Sequence, residues 1–251
     1  MPPAFGPHTV MRPRTSVRAS LPAVSALDPL SIVSSVPSVF FLSGDVGVTL
    51  DTGVSNWADQ SGNGRDAAQA TTGKQPAYDA AGLNDRGTLT FDGVDDVLAM
   101  GYIPPAPGTT PSWYWLVINP ITSATGATIQ GSNNTNRHRL YWSNTSLLSF
   151  YNGTTNLQGA ISTGAWYRCA LNLSNSTSDY RQVGSSSVGG SNAGNNAGFS
   201  GLYLGALAAT GGGAANVEVA AWGCWAGEPT PGEKAALDQW ATAYYGAGVQ
   251  V

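Results

Sequence analysis

The sequence is poor in charge. Asp, Glu, Lys and Arg make up 10% of its 251 residues, and the formal charge is −4. A nucleic-acid binder normally presents a basic face. With only two lysines, Lys74 and Lys234, no nucleic-acid partner is expected. No apolar run approaches the roughly 20 residues of a bilayer-crossing helix, so no membrane insertion is expected. Arg12, Arg14 and Arg18 ahead of Leu21-Pro22-Ala23-Val24 loosely mimic a secretion signal, but Pro22 and Asp28 break its apolar part. Cysteines number two, Cys169 and Cys224, each in an expected strand. They suit either one disulfide or two buried thiols acting as small hydrophobes, and the second is expected. The two histidines, His8 and His138, stand apart from each other and from the cysteines, which excludes a zinc site in practice.

Catalytic acids are scarce as well. The chain has three glutamates, Glu218, Glu228 and Glu233. Glu233 sits where a helix cap belongs, and Glu228 in a loop. A glycosidase needs two carboxyl groups roughly 5–10 Å apart, and no strand here carries closely spaced acids. No G-x-S-x-G elbow and no phosphate-binding loop occurs. The expectation is no enzyme and no catalytic residue.

What the chain has in quantity is glycine, 32 residues, together with eight tryptophans. Such a composition suits many short strands joined by tight turns. The length suffices for one sizeable all-β domain with an extension. The chain is organised around residues 56–67, Asn-Trp-Ala-Asp-Gln-Ser-Gly-Asn-Gly-Arg-Asp-Ala. Trp57 is a large apolar anchor. Gly62 and Gly64 take positive φ without steric cost, and Asp59, Ser61 and Asn63 can bond their own backbone. A tight, self-bonded loop pinned to the core by one ring is expected. Leu89 and Phe91 alternate with Thr88 and Thr90, and Asp92-Gly93 ends that strand in a turn.

The pattern W-x-D-x-S-G-N-G, built on Trp57, Asp59, Gly62, Asn63 and Gly64, is followed about 25–35 residues later by F-D-G-x-x-D, built on Phe91, Asp92 and Gly93. This pair resembles the LamG-like, concanavalin A-like jelly-roll domains found in bacterial surface proteins and phage structural proteins. Gln75-Pro76-Ala77-Tyr78 fits the resemblance. So does an apolar strand at Val217 to Trp225, followed by Glu228-Pro229-Thr230 and a short helix closing on Tyr244-Tyr245-Gly246. The resemblance covers residues 37–251. It implies an all-β fold, a two-sheet antiparallel jelly-roll sandwich with a short C-terminal helix. It implies fold more firmly than function, since this fold carries many activities.

Residues 1–36 read differently. Six prolines break any helix, and no alternation lasts, so an extended N-terminal arm is expected. Its arginines, Arg12, Arg14 and Arg18, face one acid, Asp28. Beyond the arm, residues 36–42 read as a first strand, with residues 46–50 as its hairpin partner across Gly44-Asp45. Residues 112–118 are apolar on both faces, which fits a strand buried between two layers. The aromatic rings there could stack on sugars, but burial is expected. Thr230, Pro231 and Glu233 predict a capped helix whose stripe holds Leu237, Trp240, Ala241 and Tyr244, stopped by Gly246.

Two candidate sites follow. Arg137, Arg139, Tyr141 and Trp142 form the densest basic and aromatic patch, and arginine with aromatics can stack on and bond a sugar ring. Asp92, Asp95 and Asp96 make an oxygen-rich turn that Asp59 and Asn63 could approach. Either it takes calcium, or its acids bond turn amides, and the second is expected, with no cofactor. Two functions are carried forward. In the first, the arm fastens the domain to other protein subunits, as a homo-oligomeric component of a virion surface such as a capsid decoration or tail appendage. In the second, the domain is a glycan-binding adhesin module of an extracellular, bacterial or phage surface.

Overall fold

The structure is a computed structural model, and it describes residues 28–103, 112–132, 138–152, 156–173, 179–184, 186–190 and 201–250. Arg12, Arg14, Arg18 and Arg137 lie outside the described residues. The helices are α1 (Pro29–Ile32) and α2 (Pro231–Tyr245). The first strands are β1 (Ser38–Ser43), β2 (Val48–Leu50), β3 (Val54–Trp57), β4 (Ala67–Ala68), β5 (Ala77–Leu83), β6 (Arg86–Asp92), β7 (Leu98–Met100), β8 (Ser112–Pro120) and β9 (Thr128–Gly131). The remainder are β10 (His138–Asn144), β11 (Leu147–Asn152), β12 (Asn156–Ala160), β13 (Trp166–Leu173), β14 (Asp179–Val183), β15 (Ser186–Gly190), β16 (Tyr203–Leu204), β17 (Asn216–Trp225) and β18 (Val249–Gln250).

These strands make two sheets. One runs β15-β14-β13-β8-β17-β6-β5, with β1 also on β17 and β18 beside β13. The other runs β12-β11-β10-β9-β16-β7-β4-β3-β2. Pairing is antiparallel except for β13 with β18. The expected two-sheet antiparallel sandwich with a short C-terminal helix is what the chain forms. No helix of the described residues is long and apolar enough to cross a membrane.

β8 shows how the sequence builds three layers. Tyr114, Leu116 and Ile118 point into the core between the sheets. Trp113, Trp115 and Val117 point the other way, beneath α2. Both faces of the strand are covered, and the rings of 112–118 are structural. α2 caps as its sequence dictates, with Thr230 and Glu233 in a reciprocal capping box and Pro231 in the first turn. It buries Leu237, Ala241 and Tyr245, one stripe at intervals of four, while Trp240 and Tyr244 flank the contact half-buried. Asp238 on the same helix reaches Arg168 of β13 at 2.8 Å, which pairs a guanidinium buried under the helix.

The Trp57 loop forms as expected. The indole is fully buried and donates to the Ser43 carbonyl at 2.9 Å. Asp59 accepts from the backbone amides of Phe41, Ser61 and Arg65, and Asn63 donates to the carbonyls of Ser38 and Val39. Gly62 and Gly64 have φ of +83° and +67° with open space around them, so conformation, not room, requires glycine there. Asn84 and Asp85 both take positive φ, which makes the β5–β6 connection a two-residue hairpin turn.

Two expectations change. β1 and β2 are not a hairpin: β1 pairs with β17, while β2 pairs with β3 in the opposite sheet. The chain crosses between sheets at residues 44–47, a step that alternation of apolar residues does not reveal. The described part of the expected arm, residues 28–36, is not extended. Asp28 caps α1 by accepting from the Leu30 amide, and Val33 is buried against α2. Glu233 then holds the segment, accepting from the amides of Ser34 and Ser35 at 2.8 and 2.7 Å and from the Ser35 hydroxyl. Pro29 begins this helix instead of breaking one, because a first-turn residue needs no backbone donor. Cys169 and Cys224, as expected, are buried thiols that form no disulfide. They lie opposite Leu116 and Tyr114 on the two strands flanking β8, two strand spacings apart, about 10 Å, beyond disulfide reach.

Candidate functional site

β10 decides the fate of the basic and aromatic patch. Leu140 and Trp142 face the core, and Trp142 is 1% exposed. Arg139 and Tyr141 share the other face, with the guanidinium 3.6 Å from the ring centroid. Their strand partners are Tyr151 and Ser149 of β11. Arg139 and Tyr141 are therefore together, but Trp142 is removed from the expected set. Strand alternation turns the ring inward, where it presents no face to a sugar.

The acidic turn gathers Asp92, Asp95 and Asp96, with one oxygen of each within 4.8 Å of the others. Asp92 accepts from the Val94 amide at 2.7 Å, and Asp96 from the Asp92 amide at 2.9 Å. Burial, chiefly, pushes the Asp96 carboxyl up to about 6. Asp59 and Asn63 do not join this turn, since their hydrogen bonds hold the Trp57 loop against β1. Of the six oxygens that these three carboxylates carry, one of Asp92 and one of Asp96 are already engaged by turn amides. Phe91 is fully buried, and a Cβ on Gly93, at φ +79°, would lie 2.9 Å from the Asn216 Cβ. Phe91 and Gly93 are thus fixed by packing.

A feature absent from the sequence expectations lies at one end of the sandwich. An open groove of about 710 Å³ forms there. Its polar wall carries Ser123, Thr145, Ser146, Ser162, Thr163 and Gln250. Its apolar floor includes Ile161, packed on the core, and Tyr167, 6% exposed. Thr145 and Ser146 form the β10–β11 turn, Ser162 and Thr163 precede β13, and Gln250 ends β18. Among the described residues, the lining holds no acid, histidine, lysine or arginine. The rim is held in place from below. The Ser123 hydroxyl donates to the Thr145 carbonyl at 2.8 Å, the Gly164 amide to the Pro120 carbonyl at 2.8 Å, and the Ser162 amide to the Tyr167 hydroxyl at 3.0 Å. Among the described residues, the hydroxyls of Thr145, Ser146, Ser162 and Thr163 make no hydrogen bond within the chain.

No family model matches the chain. No curated protein sequence matches it either. Solved structures do. A Trypanosoma rangeli sialidase in complex with sialic acid superposes with a TM-score of 0.60 at 13% identity, over 86% of this chain and 34% of the sialidase. The binding domain of botulinum neurotoxin serotype D gives 0.60 at 10% identity, over 84% of this chain and 53% of that one. A mutant GH54 α-L-arabinofuranosidase soaked with 4-nitrophenyl α-L-arabinofuranoside gives 0.57 at 12% identity, over 76% and 51%. The chain thus spans about a third of the sialidase and about half of the other two. At these identities the likeness is one of fold, a β-sandwich.

This comparison corrects one expectation. The chain was expected not to be an enzyme, on the scarcity of paired acids. Two of the three proteins sharing its fold are enzymes by name, so that exclusion does not stand.

Proposed function

We propose that this domain is a carbohydrate-binding module and that the end groove is its binding site. The observation that carries the proposal is the groove's wall. Several hydroxyls with no partner inside the chain converge over an apolar floor. Ligand sites are concave, of about 300–1,000 Å³, and combine apolar surface with a few placed polar groups. A sugar ring offers that combination in reverse, with hydroxyls at its edge and C–H groups on its faces. The LamG-like jelly-roll resemblance of the Trp57 and Phe91 motifs supports the reading. So does the company the fold keeps: a sialidase holding sialic acid, an arabinofuranosidase soaked with an arabinofuranoside, and a toxin's binding domain.

A glycan array probed with the whole chain tests the proposal. The wild type should retain at least one glycan class, and Thr163→Trp, which fills the groove from an exposed position, should lose it. Absence of binding to every glycan would overturn the proposal.

Attachment to a larger assembly is a second reading, favoured by one observation. Glu233 and α2 fix residues 28–36, so residue 28 stands on the helix side of the sandwich. Arg12, Arg14 and Arg18 in the stretch before it suit a protein partner, and a virion or bacterial surface would be the setting. Deleting residues 1–27 should then abolish co-assembly while sparing glycan retention. If co-assembly persists without them, the attachment reading fails.

A further inference from the structure

We infer that the groove selects uncharged saccharides and that Gln250, beside Tyr167, is the residue that sets this selection. The inference rests on the carbohydrate-binding reading and deepens it. Its ground is electrostatic. Among the described residues, the wall supplies hydroxyls, one carboxamide and one phenol, with no formal charge of either sign. A carboxylate or sulfate entering it would exchange water for neutral dipoles with no counter-charge, and desolvating an unpaired charge is strongly unfavourable. A neutral hydroxyl gives up and regains hydrogen bonds of similar strength.

The second ground is geometric. β18 runs parallel to β13, with Gln250 in register with Tyr167. Partners in register point to the same face, about 5 Å apart. The Tyr167 oxygen already accepts from the Ser162 amide, which leaves its proton to be donated elsewhere. Gln250 is exposed, and a carboxamide carries an acceptor and two donors in one plane. Two adjacent hydroxyls on a sugar ring can each donate and accept, so the amide can engage both at once. The phenol beside it adds a donor. Because the rim is tied down by its own hydrogen bonds, binding orders few side chains.

The probes are neutral oligosaccharides (gluco-, galacto-, manno- and xylo-series) beside sialylated, uronate-containing and sulfated glycans. The best-retained glycan is then titrated calorimetrically. The expected hit is neutral. Its affinity should change less than about twofold between about 50 and about 500 mM NaCl. It should stay flat between about pH 5 and pH 8, because the described wall carries no carboxyl or imidazole side chain. Gln250→Ala, at an exposed position, should weaken binding about tenfold with an unchanged melting temperature, as should Thr145→Ala by a smaller factor. Preferential retention of acidic glycans, or affinity falling about tenfold or more with salt, would overturn the inference and leave the carbohydrate-binding reading in place. So would full affinity in both variants. Failure of every glycan, neutral or acidic, would overturn the reading and the inference together.

Discussion

Trp222 of β17 donates its indole N–H to the side-chain oxygen of Gln130 of β9 at 2.8 Å, across the interface between the two sheets. Both residues are almost wholly buried. A second indole, Trp57 of β3, donates to the Ser43 carbonyl of β1, again from one sheet to the other. These two directional bonds thus cross a largely apolar core from sheet to sheet. Removing one partner strands the other without water. Gln130→Ala should lower stability by about 1–3 kcal/mol for the unpaired indole alone. Gln130→Leu combined with Trp222→Phe should cost less than the sum of the two singles, since both polar groups then disappear together. Urea unfolding of the four proteins measures the coupling, and strict additivity would show that the bond contributes nothing.

Opposite faces of β10 should respond differently to truncation. Trp142→Ala opens a core cavity and should cost about 3–5 kcal/mol. Arg139→Ala removes a stacking contact on the other face and should cost about 0.5–1 kcal/mol. Thermal or urea unfolding separates the two, and comparable losses would contradict the assignment of faces.

Asp96 should make the fold more stable on mild acidification. Its carboxyl is pushed up to about 6 by burial first, with the charges of Asp92 and Asp95 adding and the Asp92 amide opposing. Between that value and the ordinary carboxylate range, the folded chain holds a proton that the unfolded chain has released. This group's contribution therefore improves as pH falls from about 7 to about 4. Asp96→Asn keeps an acceptor for the Asp92 amide and should stabilise the protein by about 1–3 kcal/mol at pH 7. The difference between variant and wild type should shrink to near zero by about pH 4. A pH-independent difference would contradict the account.

Glu233 behaves in the opposite sense. Burial alone would raise its carboxyl, but hydrogen bonds from Ser35 and Thr230 outweigh that and bring it down to about 2. Its grip on residues 34 and 35 is complete above the ordinary carboxylate range and is lost as pH falls toward about 2. Glu233→Ala should release that grip at neutral pH. Hydrogen exchange at the Ser34 and Ser35 amides measures it: acceleration confined to this segment and the first turn of α2 is expected, and unchanged exchange would show that α1 packing alone holds the segment.

Much of this was legible in the residues. The Trp57 loop and the Thr230–Glu233 capping box rest on local chemistry that a few adjacent side chains determine. The crossing from β1 to β2 was not legible, because alternation tells which residues are buried but not which sheet buries them. Trp142 was misplaced for a related reason: composition marked the patch, while only strand register decides that Tyr141 and Trp142 face apart. The groove left no signal. Ser123, Thr145, Ser162 and Gln250 are ordinary turn and edge residues far apart in sequence, and only the closing of the sandwich brings them to one wall.

The most direct measurement is an amide NMR titration of the whole chain with the best-retained glycan from the array. Shifts concentrated at Thr145, Ser146, Ser162, Thr163 and Gln250, with Arg139 and Tyr141 unmoved, are the predicted result. Shifts centred on Arg139 and Tyr141, or none at saturating glycan, would contradict the assignment of the groove as the binding site.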